Sequence, residues 1–297
     1  MTVTSRRFGL SAAMTTPFDQ DGRLDLRRLT SHARWCLDNG CTSVTAFGTT
    51  GEGASIGNSG REQVLGALAG SGIAPEAVVY CVAATALHEA IVQVRMAYDF
   101  GAKAILLPPP YYFKGVSDEG LFDWFSQFFT KLGASARDII LYNIPSVTQV
   151  ALSVALIGRI KDAFPGIVTG VKDSSGDWAY TQQLLADHKD LAILIGDERY
   201  LAEGVALGGE GAISGLANVC PDILLGMIEN ARGDTRVNHL VDEVLRHPVT
   251  PAVKSLVAHR TGQDGWRHVR APLVTMQPSP AAALGKTYDR LFARAAA

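Results

Sequence analysis

Hydrophobic positions recur along this chain in two alternating rhythms. Short apolar or β-branched runs, bounded by Gly, Pro, Asp or Asn, fall at 10–14, 43–47, 78–82, 104–107, 139–142, 167–172, 192–195 and 211–214. Runs of that length and composition predict buried strands. Between them, apolar residues return every three or four positions. Leu26, Leu29, Ala33 and Leu37 share one helical face, with Arg27, Arg28 and Arg34 elsewhere. Ala90, Val94 and Ala97 repeat that spacing, as do Leu121, Phe125 and Phe128. Gly40, Gly101 and Gly133 stand where helix C-caps are expected, and Ser153 suits the N-cap of a helix over 154–163.

Eight strands alternating with helices predict a parallel sheet with right-handed crossovers. Eight units in about 215 residues suit a closed (β/α)8 TIM barrel. A doubly wound open sheet is the alternative, weakened because no GxGxxG follows the first strand. No strand pattern returns after about residue 218. The expected organisation is a barrel over 1–217 and a C-terminal helical segment over 218–297, packed on the barrel in the same domain. Pro272, Pro278 and Pro280 are expected to break that segment into pieces.

Composition narrows the function classes. The 297 residues are 47% hydrophobic, enough for a large core. Lys and Arg number 27 against 29 Asp and Glu, with no basic stripe. That balance argues against a nucleic-acid or membrane-surface partner. No stretch approaches the roughly 20 apolar residues of a membrane span. Cys36, Cys41, Cys81 and Cys220 form no CxxC pair and read as reduced core thiols of a cytoplasmic protein. The seven histidines show no HExxH or paired spacing, so no metal site is expected. Ser5-Arg6-Arg7-Phe8 resembles the start of a twin-arginine export signal, but the apolar stretch behind it ends at Met14 without a small-residue cleavage site.

Candidate chemistry follows from what closes each strand, because barrel enzymes act from the C-terminal ends of their strands. The sixth strand ends on Lys172, followed by Asp173-Ser174-Ser175-Gly176-Asp177. Burial disfavours an ammonium ion, and a neutral amine is what attacks a ketone. The competing reading is a lysine that snorkels or pairs with Asp173 or Asp177. Lys172 is one of eight lysines, and most of the others sit in polar helix or loop contexts. The second strand runs into Gly48-Thr49-Thr50-Gly51-Glu52-Gly53, which is not a P-loop. Its N–H groups and hydroxyls can face a carboxylate, or it is simply a tight βα turn. Tyr142-Asn143-Ile144-Pro145 closes the fifth strand, where a tyrosine can shuttle protons for an adjacent imine or merely cap the barrel. Pro108-Pro109-Pro110-Tyr111-Tyr112 follows the fourth and is stiffened by its prolines.

Taken together, these pieces resemble the dihydrodipicolinate synthase / N-acetylneuraminate lyase family of pyruvate-dependent Schiff-base lyases. Thr16-Pro17-Phe18, Gly196-Asp197 and Gly208-Gly209 before Gly211-Ala212-Ile213-Ser214 complete the match, which spans essentially the whole chain. The resemblance implies that Lys172 forms the Schiff base and that Tyr142 relays protons, with Thr49 in the relay. Thr50 would hold the pyruvate carboxylate, helped by loop N–H groups at Gly51. Ile213 would offer its carbonyl beside the pyruvate, and Tyr112 would reach a neighbouring subunit's site. A homotetramer built from dimers is implied too. The substrates would be pyruvate and an aldehyde, with no metal or organic cofactor.

Two positions depart from the family pattern. The synthases carry an arginine two residues after the proline of Tyr-Asn-x-Pro; here that residue is Val147, which cannot pair with a carboxylate. The neuraminate lyases place a carboxylate just after an aspartate past the seventh strand; here the position falls on Arg199, or on Glu198 after a one-residue shift. Arg199 is expected to bind a distal carboxylate or polyol, or else to be a solvated helix-start arginine. Ser174 could bond a hydroxyl. The expected activity is pyruvate-dependent carbon–carbon lysis or addition on a 2-keto-3-deoxy sugar acid or related hydroxy-keto acid. The alternatives are 4-hydroxy-tetrahydrodipicolinate (dihydrodipicolinate) synthase, a Schiff-base dehydratase or hydratase-aldolase, and a non-catalytic keto-acid binder.

Overall fold

The computed structural model describes residues 8–292, so the Arg6-Arg7 pair lies outside the described residues. Eight parallel strands close into a barrel in sequence order. They are β1 Gly9–Ala13, β2 Ser43–Ala46, β3 Val78–Cys81, β4 Ala104–Leu107, β5 Ile139–Asn143, β6 Val168–Asp173, β7 Ala192–Ile195 and β8 Gly211–Ser214. The last strand returns to the first through Leu10↔Ala212 and Ser11↔Ile213. All eight expected strands are present, with ends shifted by a residue at several places. β2 stops at Ala46 because Phe47 takes a left-handed φ of 65°, which no strand accommodates. β5 and β6 each run one residue further, to Asn143 and Asp173.

The outer layer is α1 Leu26–Asp38, α2 Asn58–Gly70, α3 Leu87–Phe100, α4 Asp118–Leu132, the single turn α5 Pro145–Thr148, α6 Val154–Ala163, α7 Trp178–Asp187 and α8 Leu201–Ala206. The periodic apolar positions are the buried ones. Leu29, Ala33 and Cys36 of α1 and Leu121, Phe125 and Phe128 of α4 face the strands. Gly101 ends α3 in the left-handed conformation that favours glycine. Ser153 caps α6 by accepting from the Leu156 N–H at 3.0 Å.

Past β8 come α9 Pro221–Asn230, α10 Thr235–Leu245, α11 Val249–Thr261 and α12 Pro278–Phe292. α9 packs on α8 and β1, so it completes the outer ring for the eighth strand. α11 is buried from Thr250 to Ala258, covered by α10 and α12. Two of the expected breakers act otherwise. Pro278 and Pro280 lie in the first turn of α12, where their missing N–H groups have no intrahelical partner to lose, so they start a helix. Pro272 lies in the connection between α11 and α12. Among the described residues, no helix is long and apolar enough to cross a membrane.

Candidate active site

The C-terminal end of the barrel gathers the predicted residues. β5 and β6 pair with Tyr142 opposite Lys172, so the two side chains project at one level from neighbouring strands. Lys172 is 5% exposed, and its Nζ donates to the Tyr142 hydroxyl at 3.3 Å. That hydroxyl lies 3.3 Å from Thr49 Oγ1, which completes a Lys–Tyr–Thr chain. The amine also sits 4.3 Å from the Tyr142 ring centroid.

The expected acidic partners are engaged elsewhere. Asp173 accepts from Asn143 Nδ2 at 3.0 Å, from the Ser175 N–H at 3.0 Å and from Thr181 Oγ1 at 2.6 Å. Asp177 caps α7 through the Tyr180 N–H. Among the described residues, no carboxylate lies within ion-pair distance of Lys172 Nζ.

The turn after β2 is tightly wound. Gly51, Glu52 and Gly53 donate their N–H groups to the carbonyls of Gly48, Thr49 and Gly48. The Gly51 N–H is therefore used within the turn. A Cβ on Gly51 would stand 2.7 Å from the Met14 carbonyl oxygen, and one on Gly53 only 1.7 Å from that of Phe47, so glycine is required at both. Thr50 lines a cavity of about 320 Å³ together with Thr49, Tyr142 and Lys172. Ile213, Ser174 and Arg199 line the same cavity. Gly196 lets Ser174 approach, since a Cβ there would lie 2.1 Å from Ser174 Oγ.

Arg199 stands at the edge with its guanidinium occupied. Nε and Nη2 bond Asp197 at 3.0 and 2.7 Å, and Nη1 bonds Asp242 at 2.9 Å. Glu198, weighed in the sequence only as a register alternative, is buried in the cavity wall and accepts from Ser214 Oγ. Burial pushes its carboxyl above the usual range, and the Ser214 bond only partly offsets this. Tyr112 is 75% exposed and is not part of this cavity in the single chain. Its neighbour Tyr111 turns inward and donates to the Ala83 carbonyl at 3.0 Å.

A lysine and tyrosine side by side at the top of a closed barrel, under a Gly-Thr-Thr-Gly turn, can be compared with known proteins. The sequence profile of the Dihydrodipicolinate synthetase family matches residues 7–290. The chain belongs to the dihydrodipicolinate synthetase family. It is 31% identical to an uncharacterized DapA-like lyase of Chloroflexus aurantiacus, over 96% of this chain and 97% of the other. It is 33% identical to a 4-hydroxy-tetrahydrodipicolinate synthase of Anaeromyxobacter sp., over 75% of this chain and 74% of the other. The crystal structure of a dihydrodipicolinate synthase from Agrobacterium tumefaciens superposes with a TM-score of 0.95 at 55% identity, covering 96% of this chain and all of that one. As a member of the dihydrodipicolinate synthetase family, the protein is an enzyme of the lyase and aldolase class.

The cavity mouth is apolar. Val147, Leu245 and Val249 line it and stay 56%, 52% and 41% exposed. Sequence reasoning singled out Val147 by its motif position. Leu245 and Val249 escaped it because they lie in the C-terminal segment, past the last motif piece, Gly211-Ala212-Ile213-Ser214.

Proposed function

We propose that this enzyme makes or breaks a carbon–carbon bond next to pyruvate through a Schiff base on Lys172. The observation that carries the reading is the buried Lys172 amine, which has the Tyr142 hydroxyl as its hydrogen-bond partner and no carboxylate. The neutral amine adds to the pyruvate carbonyl carbon, and the carbinolamine loses water as Tyr142 delivers a proton to the departing hydroxyl. The iminium draws electrons from C3, which gives its proton to the Tyr142 phenolate as the enamine forms. The enamine carbon adds to an aldehyde, whose oxygen takes a proton from Tyr142. Water then hydrolyses the new iminium and frees the lysine. Cleavage runs the same steps backward. Thr49 passes protons onward from Tyr142, and Thr50 takes the pyruvate carboxylate. The covalent iminium is itself the electron sink, so the scheme calls on no metal or organic cofactor.

For the adduct, the geometry favours a hydroxy-keto acid, such as a 2-keto-3-deoxy sugar acid, whose aldehyde-derived end is uncharged. Ser174 and Glu198 offer hydroxyl partners on one wall, while Val147, Leu245 and Val249 make the mouth apolar. Arg199 is already neutralised by Asp197 and Asp242, with three of its five N–H groups engaged, so it offers an anion less charge than an unpaired arginine would. If Arg199→Ala left the kcat/KM of the preferred substrate unchanged, Arg199 would have no part in recognition.

The second reading is 4-hydroxy-tetrahydrodipicolinate synthase, favoured by the names of the relatives and opposed by Val147. Pyruvate consumption should be followed with aspartate semialdehyde and with a panel of sugar-derived and apolar aldehydes. The proposed reading expects turnover with neutral aldehydes at least about tenfold above the semialdehyde, the worth of one lost charged contact. The reverse order would make the protein a synthase. Water release without pyruvate would make it a dehydratase. Binding without turnover or adduct would make it a keto-acid binder. We further propose a homotetramer built from dimers, in keeping with the exposed Tyr112–Phe113 pair; a monomer by light scattering would contradict that assembly.

A further inference from the structure

The reaction scheme makes no use of Lys254, yet this lysine is brought to the catalytic turn and sealed from water. It lies in the middle of α11, and both its side chain and that of Glu52 have 0% exposure. Its Nζ stands 2.6 Å from Glu52 Oε1 and 2.9 Å from the Thr16 carbonyl oxygen. The other Glu52 oxygen accepts from the Arg270 N–H at 2.8 Å.

Glu52 closes the turn that presents Thr49 and Thr50. Its N–H donates to the Thr49 carbonyl at 3.1 Å. The Thr16 hydroxyl holds the Gly51 carbonyl at 2.7 Å. Thr250 lies four residues before Lys254, on the same face of α11, and donates to the Thr49 carbonyl at 3.2 Å. The turn needs such restraint. Phe47 and Glu52 have φ of 65° and 54°, a region that residues with a Cβ seldom occupy unless their surroundings hold them there.

We propose that Lys254, acting with Glu52 and Thr250, is a positioning residue through which helix α11 sets the Thr49–Thr50 turn against Tyr142 and Lys172. The inference rests on the reading of Thr49 as proton relay and Thr50 as carboxylate holder. A pair of apolar side chains could fill the same space with similar stability. It could not fix direction. A charge-assisted bond of 2.6 Å sets both distance and angle for the turn. A shift of about 1 Å in such groups costs on the order of a hundredfold in rate.

The test measures steady-state pyruvate kinetics and thermal melting on the full chain. In the double variant Glu52→Gln/Lys254→Met both buried charges are gone, so melting stays near wild type. Its pyruvate KM should rise at least about tenfold and its kcat should fall, because carboxylate holding and proton relay both depend on the turn. Thr250→Val should raise KM about three- to tenfold at unchanged melting, and Thr250→Ser, which keeps the hydroxyl, should restore most of it. Thr250→Val decides alone if the double variant does not fold. Wild-type protein without pyruvate turnover would overturn the reading of the site and this inference with it. Wild-type turnover, with KM and kcat unmoved in Thr250→Val and in any folded double variant, would overturn the positioning role alone.

Discussion

Two lysines are buried at the catalytic end of this barrel, and their surroundings differ in one respect. Lys254 meets a carboxylate at 2.6 Å; Lys172 meets a phenol at 3.3 Å. Burial pushes the Lys254 ammonium down from its usual range, and Glu52 pulls it partly back. An amine committed to a carboxylate and to the Thr16 carbonyl has no free approach to a ketone and is a poor nucleophile. Around Lys172 the nearest acid, Asp173, is turned away and saturated by Asn143, Ser175 and Thr181. Burial alone therefore does not make a lysine chemical. On the proposed mechanism, the orientation of the neighbouring carboxylates separates the reactive amine from the structural one.

Substitutions can break that comparison. The largest expected effect is on Lys172. On the proposed mechanism Lys172 forms the covalent intermediate, so Lys172→Ala should lower kcat by roughly 10⁴-fold or more. Chemical denaturation should show little loss of stability, because the variant removes a buried amine that has no ion partner. The opposite pattern is expected at Lys254. Lys254→Met strands the Glu52 carboxylate and should cost about 3–5 kcal/mol in urea unfolding. Adding Glu52→Gln should recover most of it; a double variant as unstable as the single one would mean that the pair is not the source.

Tyr142→Phe sharpens the account of Lys172. It keeps the ring and removes the proton carrier, so kcat should fall about 10²–10³-fold while the adduct with pyruvate still forms slowly. Wild-type kcat in this variant would assign the relay elsewhere. His32 provides a smaller test as another buried base without a carboxylate partner. Burial lowers its pKa to about 4 from 6.5. Asn218 donates both amide hydrogens to carbonyls, which leaves its oxygen to accept from His32 Nε2 at 2.9 Å. The unfolded chain takes up a proton at His32 before the folded one does. Its contribution is thus complete above pH 6.5 and is lost as pH falls toward 4, on the order of 3 kcal/mol in all. Urea midpoints across that range, compared with those of His32→Gln, would measure it. Parallel curves would remove His32 as the cause.

Much of the fold was legible because it is written locally. Eight apolar runs with turn residues at their ends mark eight strands, and Lys172 and Tyr142 each close one, so their meeting follows from strand pairing. The left-handed Phe47 was hidden, because a bulky residue takes that conformation only where the surrounding contacts impose it. The prolines of α12 misled because the same residue stops a helix from inside and starts one from its first turn. Lys254 was not singled out, although Ala252, Val253, Leu256 and Val257 surround it in sequence. Its partner lies 202 residues away, a pairing that no local pattern encodes. Arg199 lines the cavity, and its capture by Asp242 depends on how α10 packs, which no local pattern encodes.

The most direct test is borohydride reduction in the presence of pyruvate, followed by peptide mass mapping of all lysines. The account predicts a reduced pyruvyl adduct on Lys172 and none on Lys254, despite the deeper burial of the latter. No adduct in folded wild-type protein, or an adduct that persists in Lys172→Ala, would contradict it.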